Sequence, residues 1–459
     1  MKMKYSPTIE SLKKHEVPAW FHDAKLGIFI HWGLYSVPAF AVTGLDLIQS
    51  MKRGIEEHFK NNPYAEWYLN SLRIPSETQK YHFEKYGKDF TYDDFVEIFN
   101  EEIKKWNPDE WAGLFKKAGA KYVVLVTKHH DGFLMWPSKH PNPKKKNYHA
   151  SRNIVAELSA AVRKKGMKMG FYYSGSLDWS FNPQPIVDIK TFLKNGVRTP
   201  EYIEYANSHW RELIEEYKPD ILWNDIGYPP NNLLELFSYY YNEVPEGVIN
   251  DRWEQLREKG DDFPKVDHSD FITPEYKTFK KIKKKKWEST RGIGNSFGYN
   301  QFESEEDYLK SEELIRMFVD IVSKNGNLLL NVGPMADGTI PEAQKKVLLS
   351  LGQWLEINGE AIYGTRPWIR PSDKANENIE IRYTCKENDL YLFIMELPSP
   401  SISSLSIPSL VLEKSSKILL LGQDNLLKWH AEQGHTRIFL PSNLPESPVH
   451  VLKITPKPQ

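Results

Sequence analysis

At 459 residues the chain exceeds what one core ordinarily supports, so a large domain with a smaller companion is expected. Its net charge of -1 excludes an electrostatic binder of nucleic acid or anionic membrane, and a single cysteine, Cys385, excludes an internal disulfide or a thiolate-rich metal site. No apolar run approaches the roughly 20 residues of a membrane helix, and the opening "MKMKYSPTIESLKKHEVPAWF" has no apolar stretch of signal-peptide length, which predicts a soluble cytoplasmic protein.

In chain order, the first buried-strand pattern is "LGIFI", Leu26–Ile30, followed by His31 and Trp32. "NPDEWAGLFKKAGAKY" then puts Trp111, Leu114 and Phe115 on one helical face and ends at Gly119. The run "YVVLV", 122–126, leads into "TKHHDGFLMW", with adjacent histidines His129 and His130. A helix through Ile154, Leu158 and Val162 ends at Gly166, and the run "MGFYY", 169–173, comes next. Further runs are "ILW" at 221–223, Val248–Ile249 and "LLL" at 328–330, the last preceded by "SEELIRMFVDIVSKNG", a helix through Leu314, Ile315, Phe318, Val319 and Val322 with an Asn-Gly C-cap.

Strands this continuously apolar are buried on both faces, as in a parallel sheet covered by helices. Alternating strand and helix gives an open doubly wound sheet or a closed (β/α)8-like barrel. Two features favour the barrel. "HWGLYS" after the first strand is not a G-x-G-x-x-G dinucleotide turn. Chemically capable residues also follow nearly every strand: His31 and Trp32, His129 and His130, Tyr172 and Tyr173, Asp225, Asp251 with Arg252, and Asn331. Barrel enzymes assemble their sites from many strand ends in this way.

Beyond Trp368 the pattern changes. "NIEIRYTCKENDLYLFIMEL" alternates apolar and polar residues around a turn, and "SKILLLG", "TRIFLP" and "PVHVLKI" follow at hairpin spacing. This predicts a small antiparallel β-sandwich over 366–459 after a catalytic domain over 1–365. The lysine-rich stretches 144–146 and 280–286 read as solvated loops.

Asp225, in "PDILWNDIGYP", stands at a strand end before a Gly/Pro-rich turn. There a carboxylate points into a barrel mouth, although turn and helix-cap aspartates occupy similar sequence. Work on a glycosidic bond needs a second carboxyl group. Glu275 in "TPEY", Glu288 in "KWEST" and Glu66 in "YAEWY" are the candidates, against the reading of each as a surface glutamate. Successive strand residues face opposite sides, so His129 and His130 are not expected to share a metal, and no H-E-x-x-H spacing occurs. Imidazoles beside Trp32, Trp67, Tyr172 and Trp223 suit a polyhydroxylated ligand better. Ser174 and Ser176 lack a G-x-S-x-G elbow, and no Walker loop is present.

These stretches, with "WFHDAKLGIFIHWGLYSVPAF", "NPYAEWYLNSLR", "GFYYSGSLDW", "VINDRW", "GIGNSFGYN" and "NGNLLLNVGPMADGTIP", resemble the α-L-fucosidases of glycoside hydrolase family 29, in its bacterial branch. The likeness runs in family order through roughly residues 5–365, and the tail resembles that family's β-sandwich. The resemblance implies a retaining exo-glycosidase on a (β/α)8-like barrel, with no metal and no cofactor. It places Asp225 as nucleophile and Glu275 as acid/base, with Glu288 and Glu66 in reserve. His31, Glu66, Trp67, His129, His130 and Tyr172 match positions that hold sugar hydroxyls; Trp223, Arg252 and Phe297 match the remaining wall.

The expected partner is a small-molecule or oligosaccharide fucoside, with no nucleic acid or membrane and with self-association plausible from the family. Asp225 beside Arg252 is expected to be held as an anion. Three other readings stay open: a retaining glycosidase for another sugar such as an α-galactoside, a catalytically inactive carbohydrate-binding protein, and a metal-dependent hydrolase using His31 and His129.

Overall fold

The computed structural model describes residues 4–229, 233–254, 267–396, 402–408, 410–432 and 434–458. Eight strands form one sheet in the order β5-β4-β3-β2-β1-β8-β7-β6, and every pairing is parallel. They are β1 Leu26–Ile30, β2 Tyr122–Lys128, β3 Lys168–Ser174, β4 Ile221–Asp225, β5 Val248–Ile249, β6 Phe271–Ile272, β7 Lys286–Gly292 and β8 Gly326–Val332. Asp270 N–H donates to Ile249 O at 2.9 Å, drawing the two sheet edges together. Sequential neighbours around a nearly closed ring define a (β/α)8-like barrel.

The anticipated strands form where expected; β6 and β7 have no counterpart in the sequence reading. In β7, Trp287 packs outward on Phe279 and donates to Lys324 O, so Lys286 and Glu288 turn inward. The stretch 280–286 is therefore not wholly loop, because Lys286 opens a buried strand. The barrel interior holds Phe29, Tyr122, Val124, Val126, Tyr172 and Trp223. Tyr122 fills the space beside Gly27, where an added Cβ would lie 2.1 Å from the ring, so that position tolerates no side chain.

The helices form where periodicity placed them. Pro108–Lys117 starts with Asn107 capping Asp109 N–H and proline in the first turn. Ile154–Lys164 buries Ile154, Leu158 and Val162, and Ser311–Ser323 buries Leu314, Ile315, Phe318, Val319 and Val322. At the end of the latter, Asn325 rather than glycine takes the left-handed conformation (φ 75°), which frees Gly326 to begin β8.

A five-stranded antiparallel sheet and a three-stranded one follow. The first contains the hairpin Glu380–Lys386 with Asp389–Ile394, and the second is built on His435–Phe439. Their facing side chains, among them Ile381, Leu392, Leu405, Ile418, Ile438 and Leu452, form a separate apolar core. Arg382 and Lys324 both pair with Asp320, tying this sandwich to a barrel helix. No helix among the described residues is long and apolar enough to cross a membrane.

Candidate active site

A cavity of about 300 Å3 opens at the C-terminal ends of the strands. That is the low end for small-molecule sites. The residues that the resemblance placed in the site, Glu288 excepted, all line it: His31, Glu66, Trp67, His129, His130, Tyr172, Trp223, Asp225, Arg252, Glu275 and Phe297. Strand ends supply most of them; Glu66 and Trp67 come from the long excursion between β1 and β2, and Phe297 from the β7–β8 connection.

Asp225 closes β4. Its partners settle its charge: Arg252 Nη1 donates to Oδ1 at 2.9 Å and the Tyr172 hydroxyl donates to Oδ2 at 2.9 Å. Burial opposes ionisation, yet Arg252, the neighbouring His130 and the two hydrogen bonds outweigh it, and the carboxyl is held below its ordinary range. The expected Asp225–Arg252 pairing is thus present. Arg252 also reaches Glu275 Oε2 at 3.4 Å, and Tyr64 donates to Glu275 Oε1 at 2.9 Å. One guanidinium therefore bridges two carboxylates, each with a second oxygen held by a tyrosine.

The backbone around this pair is fixed. Asn224 points away from Asp225 and donates to both Gly227 O and Arg252 O. Arg252 is held in turn by the hydroxyl and carbonyl of Thr273, itself bonded to Asp251. Ile226 and Tyr276, the residues directly after the two carboxylates, both have positive φ (49° and 50°). For a β-branched residue such as Ile226 this is strained, and such outliers persist where surrounding structure enforces a functional geometry.

The histidines are neutral hydrogen-bonding groups. Burial lowers His31 to about 4, against its bond to Asn331, and lowers His130 to about 3. His129 falls well below the usual range, again chiefly through burial. His31 Nδ1 lies 2.6 Å from Asn331 Oδ1, so Nδ1 carries the proton and Nε2 is left as an acceptor. His130 Nδ1 meets Ser174 Oγ at 2.6 Å while that hydroxyl donates to Leu177 O, so His130 Nε2 is likewise an acceptor.

Here the sequence reading needs correction. His129 and His130 do not diverge: their ring centroids are 4.0 Å apart and both line the cavity. Strand alternation does not reach them, because β2 ends at Lys128 after a register shift at 126–128. His129 stacks on Tyr172, and its buried Nδ1 has no hydrogen-bond partner among the described residues. No group of three or more His, Cys, Asp or Glu side chains among the described residues is arranged to hold a metal ion.

Glu66 and Glu288 are buried, not surface glutamates. Burial pushes Glu66 up to about 8, although it accepts Gly298 N–H at 2.8 Å, so at neutral pH it bears a proton. Glu288 accepts from Tyr122 at 2.5 Å and Trp223 Nε1 at 3.0 Å, and it does not line the cavity, so its geometry is that of a barrel-interior strut. Trp32 also leaves the site: it packs on Phe99, Trp106 and Trp111 outside the barrel and donates to Met335 O. Sequence reasoning missed Tyr64, Thr273 and Phe29. The first two act through other residues, and Phe29 sits inside an apolar run with nothing to mark it.

Replacing Tyr172 with phenylalanine removes a donor to the ionised form of Asp225, so its pKa should rise. A reaction that needs the anion should then lose its acid side earlier. The expected result for Tyr172→Phe is an acid limb of kcat/KM displaced upward by about half to one pH unit, as loss of one hydrogen bond implies. An unmoved limb in a full pH-rate profile would contradict this.

A parallel barrel with two arginine-bridged carboxylates under aromatic walls and neutral histidines has the make-up of a barrel glycoside hydrolase. The comparisons agree. A family model described as Alpha-L-fucosidase matches residues 1–360, and one described as Alpha-L-fucosidase C-terminal domain matches 373–455. An alpha-L-fucosidase of Dictyostelium discoideum is 36% identical over 420 residues, which cover 88% of this chain and 84% of that protein. The Thermotoga maritima alpha-fucosidase in complex with a mechanism-based inhibitor is 43% identical with a TM-score of 0.88, covering 98% of this chain and 100% of that one. An alpha-L-fucosynthase from the same organism, an aspartate-to-glycine variant in complex with α-L-Fuc-(1-2)-β-L-Fuc-N3, matches with the same identity, coverage and TM-score. The chain belongs to the α-L-fucosidase family of glycoside hydrolases.

Proposed function

We propose that the protein hydrolyses terminal α-L-fucosyl residues from glycosides with net retention, by double displacement through a covalent fucosyl-enzyme. The observation that carries the reading is the Arg252 bridge, which holds Asp225 as an anion next to Glu275. Asp225 attacks the anomeric carbon while Glu275 protonates the departing oxygen. Glu275 then deprotonates the water that releases the sugar. A mechanism-based inhibitor and an aspartate-to-glycine fucosynthase in the Thermotoga relative support a covalent route through a carboxylate.

The remaining lining groups divide the recognition of the sugar. His31 and His130 accept hydroxyl protons at Nε2, and His129, stacked on Tyr172, forms part of the same wall. Protonated Glu66 donates one hydrogen bond, and Trp67 closes that side. Trp223, Phe297 and Phe29 form an apolar patch for the C6 methyl group. Tyr172 positions Asp225, and Tyr64 positions Glu275. We also place the division between catalytic domain and sandwich at 365/366, between the two family matches.

Parallel assays with nitrophenyl α-L-fucoside and α-D-galactoside test this, with NMR of the first-formed product. Fucoside cleavage releasing the α-anomer is expected, and preference for the galactoside or release of the β-anomer would overturn it.

A further inference from the structure

The cavity has a second zone that fucose chemistry does not use. Outside the polar floor it is walled by Leu47, Met51, Ile55, Phe59, Ile189 and Phe192. These side chains come from three short helices, Leu47–Arg53, Ile55–Lys60 and Ile189–Asn195. Helices this short do not persist alone. Capping boxes fix two of them, Asp46 with Gln49 and Asp188 with Thr191. Phe59 joins the segments: its ring stacks on Phe192 at 5.9 Å and lies 5.8 Å from Trp67 at the edge of the inner site.

The two polar side chains of this zone are each bonded through one atom. His58 Nδ1 meets Ser50 Oγ at 3.0 Å, and Asn62 Oδ1 accepts Tyr64 N–H at 2.9 Å. Tyr64 is also the residue that donates to Glu275, so the apolar wall begins where the leaving oxygen would sit. No Lys, Arg, Asp or Glu from these helices lines the cavity, although Lys52, Arg53, Glu56 and Glu57 lie on them. The wall is also uncovered: Met51 is 48% exposed and Ile189 50%. Apolar surface left open at a cavity mouth marks a contact site.

Taking the inner site as a fucosyl site, we propose that this outer zone is the leaving-group subsite and selects an aglycone with a flat apolar face, such as an aryl ring, over a small or wholly polar one. Met51 and Ile189 are the specificity-determining residues. They touch the aglycone and not the fucose, and their exposure means that polar replacement leaves the fold intact.

The test compares the wild type with the double variant Met51→Ser/Ile189→Ser on naphthyl α-L-fucoside and methyl α-L-fucoside, with inhibition by free fucose as a third readout. The expected result is a fall in kcat/KM of about fivefold to tenfold on the naphthyl substrate. Methyl fucoside hydrolysis and fucose inhibition should be unchanged. An unaltered naphthyl rate, or an equal fall on both substrates, would overturn the subsite. A wild type inactive on both fucosides would instead overturn the reading of the inner site, and this inference with it.

Discussion

Asp225→Gly should abolish turnover of an aryl α-L-fucoside, lowering kcat by about 10^3-fold or more, which corresponds to about 4 kcal/mol of lost transition-state stabilisation. In the proposed mechanism the loss has one cause: the atom that would form the covalent bond is gone, while the rest of the cavity stays in place. Asn224 and Arg252 keep their backbone bonds, because Asn224 and not Asp225 ties β4 to Arg252 O. Sodium azide should therefore rescue cleavage by entering the vacated space. The azide then attacks from the face opposite the leaving group, and the product is β-L-fucosyl azide, of inverted configuration. Full activity in the variant, or rescue that yields only the α-azide, would remove Asp225 from this role.

Glu275→Gly should behave differently because the proposed acid/base acts on both steps. A leaving group that needs protonation, such as a sugar, should lose about 10^2- to 10^4-fold in kcat/KM, the usual contribution of a positioned acid or base. A dinitrophenyl leaving group departs without help, so its fucosyl-enzyme still forms and accumulates. Azide then intercepts that intermediate without needing a base and gives α-L-fucosyl azide, of retained configuration. The opposite stereochemistry of the two rescued products separates the roles. Were Glu66 the acid instead, Glu275→Gly would show no dependence on the leaving group. Glu66 carries a proton at neutral pH and lines the same cavity, so this alternative is a real competitor.

How far these features could be read from the sequence depended on where each residue gets its structural instruction. Runs such as "LGIFI" and "YVVLV" are apolar on both faces because helices cover one side and barrel core fills the other, so β1 and β2 were plain. β7 was not, because its inward residues Lys286 and Glu288 are polar and break the apolar run. β6 is only Phe271–Ile272, too short to show a period. Asp225 could be found as an acid at the end of a buried strand, and its pairing with Arg252 followed from both standing at the same end of the barrel. Tyr64 could not, since its contact with Glu275 spans 211 positions and arises from the excursion between β1 and β2. The histidine pair was misjudged for a local reason: alternation holds inside a strand, and these two residues lie past its end. The roles of individual residues came from family resemblance, whereas the barrel and its gathering of strand-end groups came from the pattern itself.

The central claim is that Asp225 forms a covalent bond to the fucosyl group. Incubation with 2-deoxy-2-fluoro-fucosyl fluoride tests it most directly, because the 2-fluoro group slows both steps and the fluoride leaving group lets the intermediate accumulate. Proteolysis and mass spectrometry then locate the label. A 2-fluorofucosyl adduct on the side chain of Asp225, with activity lost in proportion to labelling, is the predicted result. An adduct on Glu66 or Glu275, or loss of activity with no adduct, would contradict it.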